Sequence, residues 1–286
     1  MSSFLEWISL ERFRDMQLQI RRLLAASTAI FLVVLLAAWF LFGELACIVL
    51  LFLTIVLSIV VQVALHNRSI SLRERDYQQI EALFSVFSQI RFNAPLPRTR
   101  GSAVAPDFIA FLIGMIKENK PKVIVELGSG ISTIISAYTL KSTGEGIVVS
   151  LDHEDKYASI TRENLASHNL QDIATVIHAP LKRVTVKGND YFWYDVDALK
   201  DVERIDMLIV DGPPHIENTM ARYPALPLLI DRLSENAVVL LDDARRDAEK
   251  KVIEAWLKEY SDLSAEFLPL EDGACMIRKK DATWKL

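Results

Sequence analysis

The stretch Lys122-Val123-Ile124-Val125-Glu126-Leu127-Gly128-Ser129-Gly130-Ile131-Ser132-Thr133 decides how the rest of the chain is read. Val123 to Val125 is a short β-branched run without a polar interruption, the composition of a central parallel strand covered on both faces. Glu126 closes the strand, and Gly128 and Gly130 permit a tight turn with close approach of backbone to a ligand. Ile131 to Leu140 carries a helical pattern, so free N–H groups at the start of that helix would face whatever lies over the turn.

A glycine turn between strand and helix can serve a dinucleotide, a phosphate or S-adenosylmethionine, and the acid narrows the choice. A carboxylate two residues before the first glycine suits an electropositive ligand without phosphate and repels a pyrophosphate. No Walker lysine follows Gly130, and Thr133 stands where a dinucleotide fingerprint has its third glycine. The run Val125-Glu126-Leu127-Gly128-Ser129-Gly130 resembles the first motif of class I S-adenosylmethionine-dependent methyltransferases. The third glycine usual in that family falls at Ser132, a departure from the pattern. The resemblance implies that Glu126, Gly128, Ser129, Gly130 and Ser132 hold S-adenosylmethionine.

Of the 286 residues 51% are hydrophobic, high for a purely soluble protein. Cys47 and Cys275 lie far apart with no paired spacing, which argues against a disulfide framework or a zinc site. Charge is unevenly placed: residues 66–100 hold six arginines against three acids, while the net charge of the whole chain is −5. An acidic main domain behind a basic neck does not suit nucleic acid; it suits a neck lying against an anionic lipid bilayer.

Residues 1–22 mix charge with Phe4, Leu5, Trp7, Ile8, Phe13 and Ile20, the pattern of a short amphipathic helix at a membrane surface. Leu23 to Phe42 and Leu45 to Leu65 are two charge-free runs, each near the ~20 residues that cross a bilayer. Gly43-Glu44 between them predicts an antiparallel transmembrane hairpin over residues 23–65. Arg21 and Arg22 precede the first span and Arg68, Arg73 and Arg75 follow the second, so both ends, with the catalytic domain, are expected in the cytoplasm. Residues 66–105 form a neck. Within it, Leu72 to Phe92 is predicted helical, with Ile80, Leu83, Phe84, Phe87 and Ile90 on one face. That face could cover a substrate pocket, join copies into a homo-oligomer or dock on the domain, and docking is the plainest of the three. Residues 93–106, with three prolines and a glycine, read as linker or flap.

Residues 106–286 form the main domain, opened by a helix from Pro106 to Ile116. Strands are predicted near 123–127, 147–151, 173–177, 206–210 and 237–241. Helices are predicted near 131–140, 155–167, 219–233 and 246–260. Leu263 to Leu268 and Ala274 to Arg278 read as a β-hairpin across Glu271-Asp272-Gly273. Five parallel strands closed by an antiparallel pair give an α/β, Rossmann-like, doubly wound seven-stranded sheet with an antiparallel last strand, as in the methyltransferase family.

Ligands of open α/β sheets sit at the carboxyl ends of the strands. Asp152 and His153 follow the second strand, where a carboxylate can accept both ribose hydroxyls; Asp152 can equally cap the next helix. By its position Ala179, after the third strand, falls where the family packs adenine. Asp211 ends the fourth strand and Asp242-Asp243 the fifth, so three carboxylates are expected within reach of one divalent ion. This resembles the catechol and caffeoyl-coenzyme A type of O-methyltransferase, and the resemblance implies Mg2+ or another divalent cation on Asp211, Asp242 and Asp243. Asp243 stands where that group has asparagine, and Asp211 could instead line the cofactor pocket while the Asp pair caps the next helix, with Arg245 and Arg246 as neutralisers. His215, on the loop after Asp211, is the candidate general base, with Asp211 beside it as a second catalytic residue. Trp193, Tyr194 and Tyr223 could wall an acceptor or simply pack.

The sequence thus predicts a membrane-anchored methyltransferase acting on an oxygen of a small-molecule or lipid-linked acceptor. Its rivals are a membrane scaffold or sensor that keeps the cofactor fold without turnover, and a nicotinamide-dependent oxidoreductase.

Overall fold

The computed structural model describes residues 27–34, 36, 37, 39–101, 103–214 and 220–284. The chain divides into two units, Met1–Arg73 and Glu74–Leu286.

An apolar helix α1 (Ser27–Phe42) lies in the first unit and is followed by α2 (Glu44–Gln89), which begins there. Gly43, at φ +79, breaks the two apart in the left-handed region that glycine alone enters freely. Among the described residues α2 is the one helix long and apolar enough to cross a bilayer, and its most apolar stretch is not buried by protein. Residues 1–22 and, within the predicted first span, residues 23–26, 35 and 38 lie outside the described residues. One expectation is corrected. The predicted second span and the predicted neck helix are a single helix, because neither Gly nor Pro occurs between Glu44 and Gln89 and the arginines that end the apolar run are good helix formers.

The docking face is corrected in part. Of the predicted residues Ile90 is buried and Leu83 half-buried, but Ile80, Phe84 and Phe87 are exposed, and Gln79 and Val86 are buried in their place. Gln79 has a specific task there: its Oε1 accepts from Asp107 N at 3.1 Å, at the start of α3 (Pro106–Asn119), whose N-cap Ala105 has no side-chain acceptor. The proline-rich connection before α3 has no regular structure, but it is pinned. Arg100 pairs with Asp76 at 2.9 Å and with Glu271, and Asn93 N donates to Tyr138 Oη at 2.8 Å.

From there strand and helix alternate: β1 (Val123–Leu127), α4 (Ile131–Thr143), β2 (Ile147–Asp152), α5 (Asp155–His168), β3 (Ala174–His178). Next come β4 (Leu181–Val186) and β5 (Asn189–Tyr194), then β6 (Ile205–Val210), α6 (Ala225–Leu229), β7 (Leu233–Asp242), α7 (Asp247–Glu259), β8 (Leu263–Leu268) and β9 (Ala274–Lys279). The main sheet has seven strands in the order β3-β2-β1-β6-β7-β9-β8. Its first five are parallel, and β9 runs antiparallel between β7 and β8. This is the predicted Rossmann-like sheet.

Alternation along the strands builds a core on each face. Ile124, Met207, Ile209, Val238 and Leu240 point to one core, shared with Phe108, Leu112, Ile134 and Ile135 of α3 and α4. Val125, Leu127, Leu208, Val210, Val239 and Leu241 point to the other, shared with Leu226 of α6 and Trp256 of α7. Burying a side chain of this size contributes roughly 1.5–3 kcal/mol.

Two elements depart from expectation. Among the described residues of the helix predicted over 219–233, only α6 and a short 3-10 turn are helical, since Pro224 and Pro227 lack the N–H a longer helix would need, and β7 begins already at Leu233. The second departure is an unforeseen antiparallel hairpin, β4–β5. Its turn is Lys187-Gly188, at φ +50 and +82, the pair of positive angles that suits a two-residue hairpin loop.

Candidate active site

The parallel strands stay paired to their last residues, which sets their tips in one row. Gly128 N donates to Leu151 O at 2.8 Å, Asp211 N to Leu127 O at 3.0 Å and Ala179 N to Asp152 O at 2.8 Å. Along the row stand Ala179, Asp152 with His153, the Gly128 turn, Asp211, and Asp242 with Asp243.

The turn itself is braced from beneath. Glu126 is buried and accepts from Ser150 Oγ at 2.7 Å and from Thr133 Oγ1; Ser132 is a third hydroxyl partner. Thr133 Oγ1 in turn accepts from Gly130 N at 3.1 Å. Burial pushes the Glu126 carboxyl above its ordinary range, and the three hydroxyls oppose that shift. Glu126 therefore acts first on the shape of the turn. Gly128 sits at φ +110, where a side chain would strain the backbone. The space above is open: a β-carbon on Gly130 would meet nothing within 4 Å, and one on Gly128 would reach Asp211 and Gly212 no closer than 3.7 Å. Such a cradle fits S-adenosylmethionine, which needs close backbone approach and no phosphate charge compensation.

Asp152, on the neighbouring tip, is buried, with Oδ2 accepting from Ser129 Oγ at 2.5 Å and Oδ1 from Glu154 N at 3.0 Å. The carboxylate thus ties the β1 turn to the residue that opens α5, Glu154, whose own side chain makes no capping bond. His153 is partly exposed beside it, edge-on to Tyr194 with ring centroids 6.2 Å apart. Ala179 is buried behind the third tip. Trp193, Tyr194 and Tyr223 are all buried in the core, so they pack and form no exposed wall. His215 lies outside the described residues.

Asp211, Asp242 and Asp243 converge as expected, with carboxylate oxygens within 4.8 Å of one another. Burial, then the charge of Asp243, pushes the Asp242 carboxyl up to about 7. A residue the sequence reading passed over dominates this corner. Arg222 is buried and donates from Nη2 to Asp243 Oδ2 at 2.8 Å and to Asp211 O at 2.9 Å; Asp211 Oδ1 is 3.3 Å away. Its Nη1 donates to Asp242 O at 2.8 Å. Arg246, one of the expected neutralisers, adds a contact of 2.7 Å to Asp243. The sequence signal for Arg222 was present: it is a lone charge in the otherwise apolar run Met220 to Ile230, and a buried charge needs partners. With a guanidinium already on two of the three carboxylates, the cluster does not fit the divalent-ion site that the resemblance implied.

Residues 125–244 match the model of a methyltransferase domain. Over 103 residues the chain is 36% identical to the release factor glutamine methyltransferase of Clostridium botulinum, a match that covers 35% of this chain and 30% of that protein. The chain thus spans under a third of the length of that curated relative. Among solved structures it is similar to the SAH-bound methyltransferase PaMTH1 of Podospora anserina, with a TM-score of 0.50 and 23% identity over 63% of this chain and 81% of that one. It is similar as well to cofactor-bound Rv0187 from MTB, with a TM-score of 0.50 and 20% identity over 70% and 88% of the two chains. The chain carries a methyltransferase domain, and its sheet has the fold of S-adenosylmethionine-dependent methyltransferases.

Proposed function

We propose that this chain is a membrane-anchored, S-adenosylmethionine-dependent methyltransferase that methylates an oxygen of a small or lipid-linked acceptor. The observation that carries the reading is the open Gly128–Gly130 turn, flanked on adjacent strand tips by Asp152 and Asp211 within the matched domain.

Bound S-adenosylmethionine would supply an electrophilic methyl group. The chain's own contribution is chiefly alignment. N–H groups at the start of α4 would meet the bound cofactor, Asp152 would accept from its ribose hydroxyls, and Asp211 would lie toward its methyl end. His215 takes the proton that the acceptor hydroxyl loses. In this reading the runs Leu23–Phe42 and Leu45–Leu65 form the membrane hairpin, and the arginines that follow hold the domain on the cytoplasmic side.

Mass spectrometry of the full chain purified in mild detergent tests the cofactor. Retained S-adenosylmethionine, or its homocysteine product, is the expected result. A protein that neither retains nor takes up the ligand when it is added in calorimetry would overturn the assignment.

A further inference from the structure

Three carboxylates at the tips of β6 and β7 need a positive partner, and Arg222 meets that need from within the chain. Its guanidinium is 4% exposed. It touches both tips at once, through Asp211 and Asp243 and through the backbone carbonyls of Asp211 and Asp242. Glu249 Oε1 lies 3.8 Å from its Nε, so the buried charge is surrounded by acids. A divalent ion with oxygen ligands would require those carboxylate lone pairs and would lie beside a buried positive charge that has nowhere else to go.

We propose that Arg222 is the resident cation of this cluster and that the site holds no divalent ion. Arg222 is then a positioning residue: it fixes Asp211 and Asp243 at the tips and keeps the two strands in register there, as a planar guanidinium fork can and an ammonium group cannot. Asp243 sits at φ +61, unusual outside glycine, and pairs there with both Arg222 and Arg246. One consequence rests on the proposed transfer reaction. Without an ion to chelate, the acceptor needs one nucleophilic oxygen and not two adjacent ones. The occupancy of the cluster can be tested apart from that reaction.

The experiment is a Mn2+ titration of the full chain in detergent, followed by the loss of the free-ion signal in electron paramagnetic resonance. Wild type is expected to leave the signal of ~0.1 mM Mn2+ essentially unchanged. Arg222→Met empties the positive position and should bind Mn2+ at least ~10-fold more tightly than wild type, close to one equivalent. Adding Asp242→Asn to that variant should remove the gain, an outcome that a merely structural role for Arg222 would not produce. Arg222→Gln serves the same comparison should the methionine variant fail to fold by circular dichroism. One equivalent of Mn2+ on wild type, abolished by Asp242→Asn, would overturn the proposal. So would a folded Arg222 variant that gains no Mn2+. Neither result would touch S-adenosylmethionine binding, which is measured separately.

Discussion

The hydroxyl of Tyr194 occupies the place a β-carbon would take on Gly212: the two would be 2.2 Å apart. The hydroxyl has no hydrogen-bond partner among the described residues and is buried. Gly212→Ala is therefore expected to destabilise the domain by roughly 1–3 kcal/mol through overpacking. Tyr194→Phe removes the offending oxygen, leaving the ring carbon at 3.4 Å, and should restore much of the loss. A double-mutant cycle by thermal denaturation checks this, and strictly additive effects would contradict it.

Asp242 gives stability a definite pH dependence. Its carboxyl is raised from 3.8 to about 7 in the folded chain, first by burial and then by Asp243. The folded state therefore keeps a proton that the unfolded state releases. This contribution is fully present below pH ~4 and is lost as pH rises to about 7, on the order of 3 kcal/mol across the window. Asp242→Asn should flatten that slope. Melting temperatures of both proteins at pH 5 and pH 8 provide the comparison, with the larger drop expected in wild type.

At Gly128 the obstacle to substitution is the backbone. A β-carbon has ordinary room there, but φ +110 disfavours any side chain. Gly128→Val should cost roughly 1–3 kcal/mol and lower the affinity for S-adenosylmethionine at least ~10-fold, since the turn must relax away from the cradle. Calorimetry on the detergent-purified variant reads this directly.

Topology is open to labelling. With Cys47 and Cys275 replaced by serine, Leu286→Cys should resist an impermeant maleimide in sealed cells and react once they are permeabilised. Reaction in sealed cells would place the main domain on the outer side.

The strand tips were legible because their signals are local. β-branched runs ending in an acid or a glycine turn mark β1 and β6 and the end of β7 almost to the residue, although β7 starts four residues earlier than expected, and Glu271-Asp272-Gly273 marks the last hairpin. What escaped depends on partners far away in sequence. The continuity of α2 was hidden because a change from apolar to charged residues alters what surrounds a helix and leaves the backbone unaffected. The β4–β5 hairpin turns on Lys187-Gly188, a weaker signal than Asn-Gly, and its alternation of Val184, Val186, Tyr191 and Trp193 follows a stretch read for adenine. Arg222 has no motif of its own; only the sheet order, which sets β6 beside β7, gives it both sets of acids to bind.

The placement of β9 between β7 and β8 has a bearing on synthesis. Cys275, Met276 and Ile277 are buried, and the three residues together feed both cores. As the chain leaves the ribosome, β7 and β8 emerge first and wait with unpaired edges until Ala274–Lys279 arrives to join them. A nascent chain stalled before that strand would expose two sheet edges and an unfilled core, the features that attract chaperones and proteases. The sheet is thus closed from its middle by its last strand, and the domain can pass from a collapsed to a native state only once β9 has been made.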